Sequence, residues 1–178
     1  TGNVVIKDGQ VINISHIYSL NFRIARQVIG CSNGIMPYIL NLKENNVYNT
    51  VIISPPGRGK TTLLRDCIRS ISNGLPNYGF HGITVGVVDE RGEIAAMYKG
   101  IPQNDLGERA DILDNVSKDI GMKMLVRSMS PKVIVADEIG TKEDIEAINY
   151  AVPSGVKGIF TAHGDSLENI TLNPILSK

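Results

Sequence analysis

The chain has 178 residues, of which 42% are hydrophobic and 20% charged, enough apolar surface for about one globular domain and too much for a disordered chain. Eighteen basic residues balance eighteen acidic ones, which removes the bulk electrostatic case for a nucleic-acid or anionic-membrane binder. The longest unbroken apolar run is five residues, 94–98, too short for a transmembrane helix or the apolar stretch of a signal peptide. Two unpatterned cysteines, Cys31 and Cys67, build neither a disulfide framework nor a zinc site and fit a reducing compartment. A first residue that is Thr rather than Met is what a fragment would show.

Val4-Val5-Ile6 and Val11-Ile12-Asn13-Ile14, joined through Asp8-Gly9, show the pattern of a short β-hairpin. Ile17, Leu20, Ile24 and Val28 recur at i+3 and i+4 spacing and predict a helix. Asn33-Gly34 breaks that pattern, and a short apolar segment runs through Ile39-Leu40. The polar stretch 43–46 is the expected boundary between a small N-terminal α+β segment, 1–46, and a main unit, 47–178, that is cut short at its C-terminus. Residues 51–53 read as a buried strand. A helix is expected over 61–72, with Leu63, Leu64, Cys67, Ile68 and Ile71 on its apolar face and Gly74 and Pro76 ending it. The stretch 65–69 within it, Arg-Asp-Cys-Ile-Arg, reads as a solvated face. A second strand is expected over 83–88, a helix over 118–129 before Pro131, and a third strand over 133–136. Thr141 to Asp144 resembles a capping box, with Asp in place of Glu, for a helix reaching Ala151; a fourth strand follows at 158–162. Such alternation specifies an α/β fold, a mainly parallel sheet flanked by helices. Residues 91–117, polar and Gly-interrupted, read as a long functional or mobile loop.

Between the first strand of the main unit and its helix stands Ser54-Pro55-Pro56-Gly57-Arg58-Gly59-Lys60-Thr61-Thr62. It is a phosphate-binding loop with one departure, Ser54 at the first Gly position. Gly57 and Gly59 let the backbone wrap close to phosphate oxygens, and the helix start favours an anion. Lys60 can reach terminal phosphates and Thr61 can ligate Mg²⁺. The segment 55–62 is therefore the expected nucleotide cradle.

The strand 133–136 delivers Asp137-Glu138 at its C-terminal end, where ligands of open α/β sheets bind. One acid there can hold Mg²⁺ and a second can orient or deprotonate water, which makes Thr61, Asp137 and Glu138 the candidate metal ligands. Asp89-Glu90 ends the strand 83–88 in the same way. His163 ends the fourth strand on the same sheet edge, as a candidate sensor of the terminal phosphate.

Four segments, 54–66, 87–95, 127–140 and Thr161-Ala162-His163-Gly164, together with Asn21 to Arg26, resemble a sporulation branch of the type II/type IV secretion ATPase superfamily. The resemblance spans nearly the whole chain. It implies a RecA-like core, ATP hydrolysis with Mg²⁺, and a hexameric ring. It also implies work at a channel in the mother-cell membrane, reached from the cytoplasm through channel proteins rather than by membrane insertion. On that pattern Asp89 activates water, Glu138 is the second strand-end glutamate, and His163 is the third catalytic candidate. The family protein is longer at both ends.

Two other readings compete. A nucleic-acid-dependent RecA-like ATPase would show a basic groove with stacking aromatics, and three Phe, no Trp and zero net charge speak against it. A nucleotide-gated scaffold with slow turnover fits the same residues. Arg91, Arg109 and Arg127 are candidates for reaching a neighbour's site.

Overall fold

The structure is a computed structural model that describes residues 1–22 and 26–165. The hairpin forms as expected, β1 (Asn3–Lys7) with β2 (Gln10–Ser15), antiparallel. Asp8 and Gly9 both take positive φ, 52° and 76°, which suits the twist of a tight hairpin. The helix expected over 17–28 is not formed in its described part. Residues 17–22 and 26–28 are irregular, and Ile24 lies outside the described residues. Ile17, Leu20 and Val28 stay exposed, so the spacing had no surface to pack on and no reason to become a helix.

A four-residue helix, α1 (Met36–Ile39), leads into β3 (Leu40–Asn41), which pairs antiparallel with β4 (Asn46–Val47). Then come β5 (Thr50–Ser54), α2 (Lys60–Asn73), a small ribbon of β6 (Gly74–Leu75) and β7 (Phe80–His81), and β8 (Val85–Asp89). The remaining elements are β9 (Ala110–Asp114), α3 (Lys118–Met129), β10 (Val133–Ala136), α4 (Lys142–Ala151) and β11 (Lys157–His163). The capping box of α4 is present, with Thr141 and Asp144 bonding reciprocally.

Five strands form one parallel sheet in the order β5-β11-β10-β8-β9. β9 corrects the reading of 91–117 as loop throughout. Its sequence, Ala-Asp-Ile-Leu-Asp, lacks the apolar run of a central strand because among the described residues it lies at an edge of the sheet, where it pairs with β8.

The sheet has a core on each face. Val85, Val87, Val133, Val135 and Ile159 pack with Leu64, Cys67, Ile68 and Ile71 of α2. Alternate residues, Val88, Ile134, Ala136, Phe160 and Ala162, pack with Met122, Leu125 and Val126 of α3 and Ala147 and Ala151 of α4. This is the two-residue alternation of a strand covered on both sides. Gly121 lets α3 sit close to β8, since a Cβ there would lie 2.6 Å from Val88 Cγ1. Met36, Ile39 and Leu40 before residue 46 share the first cluster with Val47 after it.

Candidate functional site

The parallel register sets the C-terminal strand ends side by side, His163 opposite Ser54 and Ala136 opposite both Val88 and Phe160. The expected site residues follow these ends, so one edge of the sheet collects them. After Ser54 the chain turns through Pro55, Pro56, Gly57, Arg58 and Gly59 into α2. Gly57 and Gly59 have φ of 73° and 85°, and a Cβ at either would meet nothing. The glycines are therefore required by the left-handed backbone of the turn and not by crowding. Ser54 leaves this path intact: its hydroxyl donates to the Pro55 carbonyl at 3.3 Å. Lys60, Thr61 and Thr62 form the first turn of α2, where the leading N–H groups of a helix have no intrahelical acceptor.

Lys60 is 6% exposed. Its Nζ donates to the carbonyls of Ser54 at 2.9 Å and Pro55 at 3.1 Å, and lies 3.0 Å from His163 Nδ1. Thr61 Oγ1 donates to Asp137 Oδ2 at 2.5 Å, across 76 residues of sequence. The other Asp137 oxygen accepts from the Thr161 hydroxyl, and that hydroxyl accepts from the Glu138 amide at 2.7 Å. Glu138 adopts φ of 53°. Its carboxylate spans His163 Nε2 at 2.9 Å and Arg91 Nη1 at 2.7 Å. Lys60, His163, Glu138 and Arg91 thus form one chain of polar contacts.

Asp89 is 1% exposed and organises the loop after β8. Its Oδ1 accepts from the Ile94 amide at 3.1 Å, and its Oδ2 from the Ala95 amide at 2.8 Å. The neighbouring Glu90 pairs with Lys118 at 2.6 Å. A cavity of about 20 Å³ between the two acidic strand ends is lined by Asp89, Glu90, Asp137 and Glu138 among others. The structure therefore brings together all the acids singled out above, with room for about one water.

Three further residues carry the arrangement. Thr161 bridges Asp137 and Glu138; in the sequence it stood out as a polar residue in an otherwise apolar strand and as the start of the Thr161–Gly164 segment, with no role assigned to it. Arg65 and Asp66 overturn the reading of 65–69 as a solvated face, being 4% and 0% exposed. Asp66 accepts from the Ser32 amide and hydroxyl at 2.8 and 2.6 Å and from the Gly30 amide at 3.0 Å. Arg69 adds two further hydrogen bonds to it. Burial pushes the Asp66 carboxyl up, and these donors together outweigh it, holding the group below its ordinary range. The segment before α1 thus lies across α2 and covers what the periodicity left open. Of the candidate cross-subunit arginines, Arg91 is engaged with Glu138, Arg109 donates to the Ser72 carbonyl at 3.2 Å, and Arg127 lies beside Tyr150.

The family model described as "Sporulation stage III, protein AA" matches residues 1–178. The chain is 44% identical over 177 residues to stage III sporulation protein AA of Bacillus subtilis (strain 168), covering 99% of this chain and 56% of that one. The solved pilus retraction motor PilT with bound ADP aligns with a TM-score of 0.57 and 17% identity, over 86% of this chain and 45% of that one. The ATPase DotB of Legionella pneumophila aligns with a TM-score of 0.55 and 17% identity, over 80% and 37%. At such identity the likeness is one of fold, and the fold is the RecA-like one expected. The chain spans 56% of the Bacillus relative and less than half of the other curated relatives it matches.

Proposed function

The chain belongs to the sporulation stage III protein AA family, and from that premise we propose that it is the core of a Mg²⁺-dependent ATPase motor that energises a secretion-like channel during endospore formation. The observation that carries this reading is the contact between Thr61 and Asp137. The glycine loop after β5 and an acid at the end of β10, two strands away in the sheet, meet at 2.5 Å, beside a buried Lys60. Hard oxygen donors of this kind, few in number, suit Mg²⁺, which keeps most of its waters. Thr61 and Asp137 would hold the ion, with Glu138 on its water shell; when bound it neutralises charge on the phosphates. The backbone N–H groups of 57–62, which exclude the donorless Pro55 and Pro56 of the same turn, and the Lys60 ammonium would bind and orient the triphosphate of ATP.

In this reading Asp89 is the base that takes a proton from the attacking water, and His163 reports the state of the terminal phosphate to Glu138. A second assignment gives the base role to Glu138. It is favoured by exposure, since the Glu138 side chain is 27% accessible while Asp89 is nearly sealed. The active form is a ring of copies, hexameric as in the secretion ATPases, seated on membrane channel proteins on the cytoplasmic side of the mother-cell membrane. No helix among the described residues is long and apolar enough to cross a membrane. Nucleic acid is not an expected ligand.

The test is ATP binding and hydrolysis of the full-length protein over a range of protein concentrations, with Lys60→Ala as control. Hydrolysis per chain rising with concentration, and absent from a folded Lys60→Ala protein, is the expected result. Wild-type turnover in Lys60→Ala would remove the phosphate-loop assignment, and turnover independent of concentration would remove the ring.

A further inference from the structure

Arg65 lies four residues after Thr61, about one helical turn along α2. It is buried, and its hydrogen bonds go to backbone carbonyls. Nε and Nη2 both donate to the Glu93 carbonyl, at 3.0 and 2.8 Å, and Nη1 donates to the Arg26 carbonyl at 3.0 Å. The Glu93 carbonyl and the Ile94 N–H belong to one peptide group. That N–H faces Asp89, at 3.1 and 3.2 Å from its two oxygens, and the next amide, Ala95, donates at 2.8 Å. One peptide is therefore held from both sides, by a cation on its oxygen and a carboxylate on its N–H. Bonds in such a series polarise one another, so each strengthens its neighbour.

The turn is fixed from its far side as well. The Ala95 carbonyl accepts from the Gln103 and Asn104 amides at 3.0 and 3.1 Å, and the Asn104 side chain donates to the Ile94 carbonyl at 2.8 Å. Burial pulls the Arg65 guanidinium down from its ordinary range, and the charges of Asp137, Asp89 and Glu93 oppose that. An arginine stays charged in such a place, and its planar fork puts two N–H groups on one oxygen, which a lysine cannot do.

We infer that Arg65 is a positioning residue that locks the 93–95 turn to the phosphate-loop helix and thereby aims the Asp89 carboxylate; the inference rests on the ATPase reading above. Arg65 rides on the same helix as Lys60 and Thr61. A shift of that helix start is passed to Asp89 through three bonded groups. The Arg26 carbonyl ties the N-terminal segment to the same guanidinium, so the position of that segment is felt at Asp89 too.

The experiment compares full-length wild type, Arg65→Met and Arg65→Lys in three measurements: ATP–Mg²⁺ affinity, single-turnover hydrolysis, and amide hydrogen exchange at residues 94 and 95. Arg65→Met is expected to keep affinity within about threefold and to slow hydrolysis about 10- to 100-fold, the cost of a misplaced group. Its amides 94 and 95 should exchange at least about tenfold faster while those of 64–71 on α2 do not change. Arg65→Lys should restore part of both. Wild-type exchange and wild-type hydrolysis in Arg65→Met would overturn the inference. So would a general loss of protection across α2 with affinity and hydrolysis falling together, because that is the signature of a residue that only fills the core. If Arg65→Met does not fold, Arg65→Lys decides: faster exchange at 94 and 95 at unchanged affinity supports the inference, and wild-type exchange there overturns it. If the wild type hydrolyses no ATP, the enzymatic reading fails, and the exchange measurement still decides whether Arg65 holds the turn.

Discussion

Lys60 is held by two carbonyls of its own loop and by His163, so on the proposed function a phosphate would exchange with three contacts already made. That exchange would loosen His163, whose other nitrogen bonds Glu138. The residue scale is where the two acids separate. Asp89 spends three acceptor contacts on the turn 94–95, and a carboxylate has about four lone-pair directions to give. Asp89→Asn places an amide group against those backbone donors and, on the proposed assignment, removes the base. Hydrolysis should fall about 10²- to 10⁴-fold with ATP–Mg²⁺ affinity kept. Glu138→Gln should slow turnover and shift the Mg²⁺ dependence of nucleotide binding. A Mg²⁺ titration of affinity and single-turnover rate on both variants checks this. Near-normal turnover in Asp89→Asn, with ATP trapped at full Mg²⁺ affinity in Glu138→Gln, would exchange the two roles.

At the scale of elements, α2 is the hub. Its apolar residues fill one face of the sheet, its first turn carries Lys60 and Thr61, and Arg65 and Asp66 fasten the segments 26–32 and 93–95 to it. The apolar positions were readable from spacing. The polar pair was not, because i+3 and i+4 arithmetic finds a helix face that packs on a sheet and is silent about a loop that crosses the other side. Asp66→Ala strands the Ser32 and Gly30 donors in a buried site and should cost about 2–3 kcal/mol in urea unfolding. The pH dependence follows from the lowered carboxyl. A folded-state pKa below the unfolded one adds stability above about pH 4, and that stability is lost as pH falls through the folded value. Wild type should therefore lose stability on that acid limb, and Asp66→Asn, which has no proton to gain, should show a shallower slope there. Equal slopes would show that Asp66 does not bind its proton differently on folding.

The whole molecule divides into a well-covered sheet and a thinly covered start. Val4, Ile6, Val11, Ile12 and Ile14 of the hairpin are all at least half exposed, on both of its faces. A two-stranded ribbon with so little burial is marginal by itself. Its amides should exchange quickly while those of β8 and β10 exchange only through global opening. Deleting residues 1–15 should change the unfolding free energy of the sheet by less than about 0.5 kcal/mol, the range of surface changes away from the core. A loss of several times that size would mean that the hairpin is part of the cooperative unit.

The strands 133–136 and 158–162, the helix 118–129, the capping box at Thr141 and the glycine turn that leads into α2 were all legible from the sequence. Each is a local matter: apolar period, a Pro stop, or glycines at positions that need left-handed backbone. The sequence also placed the acids and His163 at strand ends, which in a parallel sheet is enough to predict a shared edge. What it could not decide was which strands would be neighbours, and so which side chains would meet. Thr61 finds Asp137 because β11 lies between β5 and β10. Thr161 joins the site because that same strand carries it there. β9 escaped notice because an edge strand with acids in it has no periodic signature. The expected helix at 17–28 failed for the opposite reason, a periodic signature with no surface to bury it. Long-range pairing selects among local possibilities, and only the folded sheet holds that information.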